Sequence, residues 1–309
     1  MAIIWMNETV GYDPGPVNLG VVRLDRDRVL IVDAGLDKGR AGKLVRLLTA
    51  EGLRPYGVLL THHHADHTGG TKRLLSAGAE FVAASPIEAS LIRQPILQPY
   101  CLSGGAAPLP ELTIKFLLPP AAPVDVLLEA GPWQVPGASS AEELQIVDLP
   151  GHTPGQIGLR VGDILFCGDA MFPAETWRKY GLTYFADMGQ ALATLDSLDG
   201  LSAALAATIT GHGEPARIPT QLIELNRTSI EALVAAVETE LATAYSTTGD
   251  MSLEEAVQGV CRRLEVEPID ISEHYLHRAT VQAVLTHLCR MNRARAHLRG
   301  ARLGWCPVR

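Results

Sequence analysis

The chain has 309 residues, 47% of them hydrophobic, and a formal net charge of −8, which suffices for a large buried core in one big domain or two smaller ones. No apolar run approaches the roughly 18–20 residues that span a bilayer, so we expect no membrane partner. The first residues lack the basic region and cleavage site of a signal peptide. The five cysteines are scattered without a CxxC pair, which is typical of a reducing compartment. We therefore expect a cytoplasmic protein.

The first part of the chain alternates between apolar strand-like runs and segments with helical spacing. The pattern predicts strands at 17–24, 28–33, 56–60 and 80–84, and helices at 38–53 and 71–77. Strands and helices in this order favour a layered α/β fold, with the sheet inside and the helices outside.

Residues 98–143 are rich in proline and glycine, and only 113–118 and 124–128 have the character of strands. An irregular segment of this length inside a compact domain is often functional, for example as a wall of a substrate cleft. A plain surface excursion is the alternative.

Regular patterns return after residue 143 and repeat one arrangement three times. Strands are predicted at 144–149, 156–161, 163–167 and 206–210, with a helix at 190–198. The arrangement is an apolar strand, then glycine, then a single His or Asp, as in Gly151-His152, Gly168-Asp169 and Gly211-His212. Each repeat delivers one candidate ligand to the same edge of a sheet. Tyr180 and Tyr184 could line the cleft beside these ligands or could simply pack.

From about residue 216 the chain becomes helical. Helices are predicted at 220–245, 252–264 and 273–291, followed by a polar–apolar alternation over 294–305. We therefore predict a first domain over residues 1–215 and a C-terminal helical, winged-helix-like domain over residues 216–309.

The C-terminal region also carries an uneven charge. After Glu273 there are seven arginines and no acidic residue, which leaves −15 on the rest of the chain. Such a basic segment could contact phosphates, mediate dimerisation or neutralise the acidic body. We favour neutralisation or dimerisation over phosphate contacts, because the rest of the protein would repel a polyanion.

The densest chemical signal lies at residues 61–67, directly after the apolar run 56–60. His62, His63, His64, Asp66 and His67 fall within six consecutive positions. Five titratable side chains on one short loop would repel or desolvate one another unless a cation holds them together. The stretch therefore predicts a metal site, with His63 pointing away from the metal because it lies between two ligands.

Together, the His62-x-His64-x-Asp66-His67 stretch, Gly151-His152, Gly168-Asp169 and Gly211-His212 resemble the metallo-β-lactamase superfamily of hydrolases. The likeness is greatest to its glyoxalase-II and lactamase-beta-2-like branch. The resemblance implies an αββα metallo-β-lactamase sandwich. It also implies that His62, His64 and His152 hold one metal ion, that Asp66, His67 and His212 hold a second, and that Asp169 bridges both. Asp33 resembles the family's early Asp that supports the ligand loop, although it could equally be a turn former before Gly35.

The resemblance further implies two divalent metal ions, with Zn²⁺ as the first choice and Fe or Mn as alternatives, since imidazoles and carboxylates suit all three. A hydroxide between the metals would attack a small ester, thioester or lactone, and Asp66 could orient it as a catalytic residue. Asp169 stands where zinc β-lactamases usually have Cys, which argues against antibiotic hydrolysis.

Other functions stay open at this point. One is a metal-dependent nuclease or phosphodiesterase whose basic C-terminal module binds nucleic acid. A metal-stabilised regulator and a mononuclear-iron sulfur dioxygenase are further alternatives. The expected partner is a small-molecule substrate, and a homo-oligomer is compatible with the sequence.

Overall fold

The structure is a computed structural model that describes residues 2–138 and 140–308. Its strands are β1 (Ile4–Trp5), β2 (Val10–Asp13), β3 (Leu19–Arg23), β4 (Arg28–Val32), β5 (Arg54–Leu59), β6 (Phe81–Ala84), β7 (Val126–Leu127), β8 (Gly131–Trp133), β9 (Leu144–Asp148), β10 (Ile157–Val161), β11 (Ile164–Gly168), β12 (Ala207–Thr210), β13 (Ala294–Arg299) and β14 (Arg302–Pro307). Its helices are α1 (Lys38–Ala50), α2 (Ala65–Thr68), α3 (Thr71–Leu75), α4 (Pro86–Arg93), α5 (Leu97–Leu102), α6 (Ala174–Tyr180), α7 (Met188–Ser202), α8 (Pro219–Thr247), α9 (Leu253–Arg263) and α10 (Ile271–Arg290). A 3₁₀ turn covers Pro110–Leu112.

Two mixed sheets form the centre of the molecule. The first has the order β1-β2-β3-β4-β5-β6-β7, antiparallel up to β4 and parallel from β4 to β7. The second has the order β12-β11-β10-β9-β8, with β11 and β12 parallel and the other pairs antiparallel. Parallel neighbours need a crossover connection, which α1 provides between β4 and β5 and α7 provides between β11 and β12.

The buried side chains define four layers. On β4, Leu30 and Val32 pack between the two sheets, whereas Val29 and Ile31 face α1 on the outer side. Both faces of this strand are buried, which explains its continuous apolar run. On the far side, Leu165 of β11 packs in one cluster with Leu195 and other residues of α7. The order is helix, sheet, sheet, helix, in agreement with the predicted αββα sandwich.

The C-terminal helices continue the outer layer of the second sheet. Residues of β11, α7, α8, α9, α10 and β14 share one buried cluster, which includes Leu198, Val237, Val260, Leu285 and Trp305. The three long helices and the β13–β14 hairpin follow the predicted order of helices and ribbon. The comparison with a winged helix and the boundary between residues 215 and 216 remain predictions.

The irregular segment departs most from the expected pattern. The predicted strand at 113–118 is wrong, because these residues form bends and a turn after the 3₁₀ turn, with Phe116 exposed. Pro108, Pro110, Pro119 and Pro120 surround this stretch, and proline lacks the N–H that a strand ladder needs. Helices α4, α5 and α6 and strands β1, β2 and β8 were not expected. None of the helices in residues 2–138 and 140–308 combines the length and the hydrophobicity that a membrane span requires.

Candidate metal centre

The candidate ligands come from four connections at one end of the two sheets. Residues 60–64, the first ligand loop, follow β5 and carry His62 and His64, and the short helix α2 adds Asp66 and His67. Residues 149–156, the second ligand loop, join β9 to β10 and carry His152. Asp169 follows β11 directly, and His212 lies two residues beyond β12. Tertiary structure thus brings together residues that are up to 150 positions apart in the sequence.

Three imidazoles form a first group. Nδ1 of His64 lies 3.1 Å from Nε2 of His62 and 2.9 Å from Nε2 of His152. One nitrogen of each of the three rings lies within 4.8 Å of the other two, close enough for a single metal ion. This is the set that the sequence resemblance assigned to one metal.

A second group lies beside the first. Ligand atoms of Asp66, His67 and His212 also fall within 4.8 Å of one another. The carboxylate of Asp169 lies between the groups. Its Oδ1 is 3.4 Å from Nε2 of His67, and its Oδ2 is 3.3 Å from Nε2 of His212 and 3.7 Å from Nε2 of His152. Gly211 permits this approach, because a Cβ at that position would overlap Oδ1 of Asp169.

For three of the candidate histidines, the nitrogen that faces away from the centre is held by a hydrogen bond to the protein. Nδ1 of His67 donates to Asp33 Oδ2 (2.7 Å), Nδ1 of His152 to the Tyr184 carbonyl (2.9 Å), and Nδ1 of His212 to the Pro16 carbonyl (2.6 Å). These bonds fix each ring so that Nε2 points towards the centre. Within the described residues, the buried His67 Nε2 and Asp169 Oδ1 have no hydrogen-bond partner. Buried polar atoms are rarely left without a partner, so this donor set fits a divalent metal ion.

Asp33 stands behind the ligands. Its Oδ1 accepts a hydrogen bond from the backbone N–H of Thr61 (2.8 Å), and its carboxylate also accepts from the Thr61 hydroxyl and from His67. It therefore connects the start of the first ligand loop to α2. The residue adopts a φ of +64°, an uncommon conformation for any residue other than glycine.

The electrostatics of the two groups differ. Burial, together with the neighbouring imidazoles, lowers the pKa of His62 and His64 well below the usual value, and burial also lowers the pKa of His152. These rings are therefore neutral, the form that binds metal. Burial also acts to lower the pKa of His67 and His212, but Asp169 and neighbouring carboxylates outweigh it and raise the pKa of His212 to about 9. Cation binding in the second group would displace these protons.

Two aromatic residues border the first group. The ring of Tyr184 lies 5.3 Å from the His64 ring and 5.5 Å from the His152 ring, centroid to centroid. Phe172 lies 5.6 Å from the His152 ring. Tyr180 is exposed on α6. Of the two tyrosines in this segment, Tyr184 is therefore the one that borders the centre.

The ring nitrogens of His63 contact Glu88 and Gln98 and not the candidate centre, although the His63 ring lies 4.8 Å from the His64 ring, centroid to centroid. Glu88 did not figure among the expected site residues. The one sequence signal was Ser85-Pro86, the start of a capped helix that places an acidic residue in its first turn.

Within the described residues, four of the seven arginines after Glu273 form ion pairs, most of them with acidic residues of the same C-terminal region. Arg278 pairs with Glu254 (2.9 Å), Arg290 with Asp187 (2.6 Å) and Arg293 with Glu238 (2.5 Å). Arg302 contacts Asp250 and Glu255. Arg309 lies outside the described residues. These pairs are the arrangement expected if the arginines neutralise acidic neighbours.

Comparisons with known proteins agree with this geometry. A family model described as the Metallo-beta-lactamase superfamily matches residues 12–212. Among curated proteins, a hydroxyacylglutathione hydrolase from Shewanella baltica is 30% identical over 145 residues, which are 47% of this chain and 44% of the relative. One from Alkalilimnicola ehrlichii is 32% identical over 193 residues, 61% of each protein. The chain thus spans about half the length of these curated relatives.

Solved structures are similar over nearly the whole chain. A beta-lactamase domain protein from Burkholderia ambifaria has a TM-score of 0.76 at 19% identity, covering 99% of this chain and 93% of that one. A metallo-beta-lactamase family protein from Thermus thermophilus has a TM-score of 0.69 at 20% identity, covering 96% and 97%. At these identities the likeness concerns the fold, and it includes the C-terminal helices.

Proposed function

Because this chain belongs to the metallo-beta-lactamase superfamily, we propose that it is a metal-dependent hydrolase of a small ester, thioester or lactone. The observation that carries the proposal is the position of Asp169. Its carboxylate lies between two groups of ligand atoms, within 3.7 Å of His67, His152 and His212. A carboxylate in this position suits a pair of metal ions that share one ligand.

In the proposed centre, His62, His64 and His152 would hold one divalent ion, Asp66, His67 and His212 would hold a second, and Asp169 would be available to both. Five imidazoles and two carboxylates are nitrogen and oxygen donors of the kind that zinc prefers, and iron or manganese would also be accepted. Divalent ions bound there would lower the pKa of a water molecule and polarise the carbonyl group of the substrate.

The residues of the chain have separate tasks in this proposal. Asp66 and His212 are partly accessible, with side chains 30% and 25% exposed, so substrate and water enter from their side. Oδ2 of Asp66, 3.6 Å from His212, accepts a hydrogen bond from the attacking water and orients it. The rings of Phe172 and Tyr184 exclude bulk water from the side of His152.

A thioester is the substrate class with the most support. The curated relatives are hydroxyacylglutathione hydrolases, whose name describes cleavage of a thioester. The ion pairs of Arg278, Arg290 and Arg293 support a small-molecule substrate over the nucleic-acid alternative, because these charges already have acidic partners. We keep the nuclease hypothesis as the alternative that the first experiment must test.

The experiment compares hydrolysis rates for four substrates after loading the protein with zinc, manganese or iron. The substrates are a hydroxyacylglutathione, a lactone, an activated phosphodiester and single-stranded RNA. Asp169→Ala is the matched variant, and we expect it to lose metal and to slow turnover by roughly 100-fold or more, since even residues that only support ligands are worth 10–100-fold. Asp196→Ala, on the exposed side of α7, is the control for an acidic substitution outside the centre.

Thioester or lactone turnover that depends on Asp169 would support the proposal. Cleavage of RNA that weakens steeply as salt rises would instead favour the nuclease alternative. Full activity of Asp169→Ala on every substrate would refute a centre that depends on this carboxylate.

A further inference from the structure

Glu88 is a buried acidic residue that is not itself a candidate metal ligand. It lies in the first turn of α4, and none of its surface is exposed to solvent. A carboxylate in such a position costs several kcal/mol unless hydrogen bonds compensate for the lost hydration. The groups that donate hydrogen bonds to Glu88 therefore indicate which parts of the protein it holds in place.

Each carboxylate oxygen of Glu88 serves a different ligand loop. Oε2 accepts hydrogen bonds from the backbone N–H of His63 (2.8 Å) and from Nδ1 of the same residue (2.5 Å). Oε1 accepts from the hydroxyl of Thr153 (2.7 Å) and from the backbone N–H of Gly155 (2.9 Å). His63 lies between His62 and His64, and Thr153 follows His152 directly. One side chain thus joins the two loops that supply all three imidazoles of the first group.

The neighbourhood of Glu88 reinforces this connection. Ser85, the residue that caps α4, donates a hydrogen bond to the carbonyl of Gly155 (2.6 Å) and so attaches the helix start to the second ligand loop. Nε2 of His63 lies 3.0 Å from Oε1 of Gln98 on α5. Burial acts to raise the pKa of Glu88, but the hydrogen bonds from His63, Thr153 and Gly155 outweigh it and lower the pKa. The carboxylate is therefore ionised and accepts all four bonds.

We propose that Glu88 is a positioning residue that sets the separation of the two ligand loops, so that His62, His64 and His152 converge before a metal ion binds. The inference rests on the proposed function, since it takes these three imidazoles as one metal site. Glu88 touches neither the metal ligands' inward-facing nitrogens nor the substrate. It acts through His63 and Thr153.

Zinc affinity of the full chain, measured by competition with a chelator, tests this role. The test variant is Glu88→Gln, which keeps the shape of the side chain but turns an NH₂ group towards the donors of one loop. We expect zinc to bind about 10–100-fold more weakly, the range found when groups that orient metal ligands are removed. The control is Ile92→Ala, one turn further along α4, whose apolar side chain is buried in the cluster under the first sheet and can make no hydrogen bond to either loop.

Cobalt(II) provides a second readout that a general loss of stability would not change. The visible absorption of the cobalt-loaded protein reports ligand geometry, so Glu88→Gln should alter the spectrum while Ile92→Ala should match the wild type. If Glu88→Gln does not fold, Thr153→Val removes only one of the four hydrogen bonds. That variant should bind zinc several-fold more weakly.

The outcomes separate this inference from the proposed function. Wild-type protein that binds no divalent ion overturns the proposed function and, with it, the role of Glu88. If the wild type binds zinc and Glu88→Gln or Thr153→Val binds it equally well, the positioning role alone is wrong. An equal loss in Ile92→Ala also refutes it, because the effect would then reflect the stability of α4.

Discussion

Asp33 has a positive φ, and its carboxylate accepts three hydrogen bonds, two from Thr61 and one from the candidate ligand His67. A φ of +64° is tolerated by Asn and Asp better than by other non-glycine residues, so this position restricts both conformation and side chain. Its carboxylate holds Thr61 and His67 at the same time. Two substitutions can separate the two requirements.

We expect Asp33→Asn and Asp33→Ala both to weaken zinc binding by about 10–100-fold, because each removes the carboxylate that orients His67. Asp33→Ala should in addition lower the free energy of unfolding, by about 1 kcal/mol relative to Asp33→Asn, because alanine disfavours the left-handed conformation. Chelator competition and denaturant unfolding measure the two effects. Unchanged zinc affinity in both variants would contradict the supporting role of Asp33.

At the level of single residues, the sequence was sufficient to name the candidate ligands, whose role stays a prediction, and insufficient to name the residues that hold them. His62, His64, His152 and His212 stand out because their residue type is rare and each follows a strand. Glu88 and the Pro16 carbonyl could not be found in this way, since their partners are 25 and 196 residues distant. Such contacts depend on how loops pack in three dimensions.

Helix α8 is attached to the segment that follows Asp169 through one buried side chain. Oδ1 of Asn226 accepts from the backbone N–H of Phe172 (2.8 Å) and from Nε1 of Trp177 (3.0 Å). Its Nδ2 donates to the carbonyls of Phe172 (2.9 Å) and Leu222 (2.8 Å). A single amide thus makes four hydrogen bonds and links the C-terminal helices to the metal centre.

Asn226→Ala should lower the free energy of unfolding by about 3 kcal/mol or more, because several buried partners lose their hydrogen bonds at about 1–3 kcal/mol each. Thr228→Ala, exposed on the same helix, should change it by no more than about 0.5 kcal/mol. Urea unfolding monitored by tryptophan fluorescence measures both variants. Similar stabilities for the two would show that the amide does not attach the helix.

The strands and helices could be predicted where their apolar period is regular. The long helices of the C-terminal region and the strands before each candidate ligand are present close to the expected positions. The failure at 113–118 has a physical origin, since a short apolar stretch has the same appearance in a strand and in a turn whose Leu112 and Leu117 are buried. The prolines on both sides of residues 113–118 explain why this stretch forms a turn and not a strand.

For the molecule as a whole, family membership and the layered fold were predicted correctly, whereas the proposed division at residue 215 remains to be tested. The buried cluster that includes Leu198 of α7 and Val237 of α8 runs across that position without a break. Removing residues 216–309 would therefore expose the apolar outer face of α7 and of the second sheet.

We expect a truncated chain of residues 1–215 to aggregate or to lose cooperative unfolding, although it keeps every candidate ligand. Size-exclusion chromatography and thermal unfolding by circular dichroism, with the full chain in parallel, measure this. A monomeric fragment that unfolds cooperatively and still binds zinc would show instead that the first 215 residues are an independent domain.

The hydrogen bond between His212 and the carbonyl of Pro16 joins residues that the ribosome makes far apart in time. His62, His64, Asp66 and His67 leave the exit tunnel early. The bond that orients His212 forms only after His212 has been made and has packed against Pro16, 196 residues earlier in the chain. A nascent chain therefore offers histidines to the metals of the cell long before it can form the second group of ligands. Metal delivery during synthesis would meet an incomplete site, and loading of the proposed pair of ions would have to wait for the folded chain.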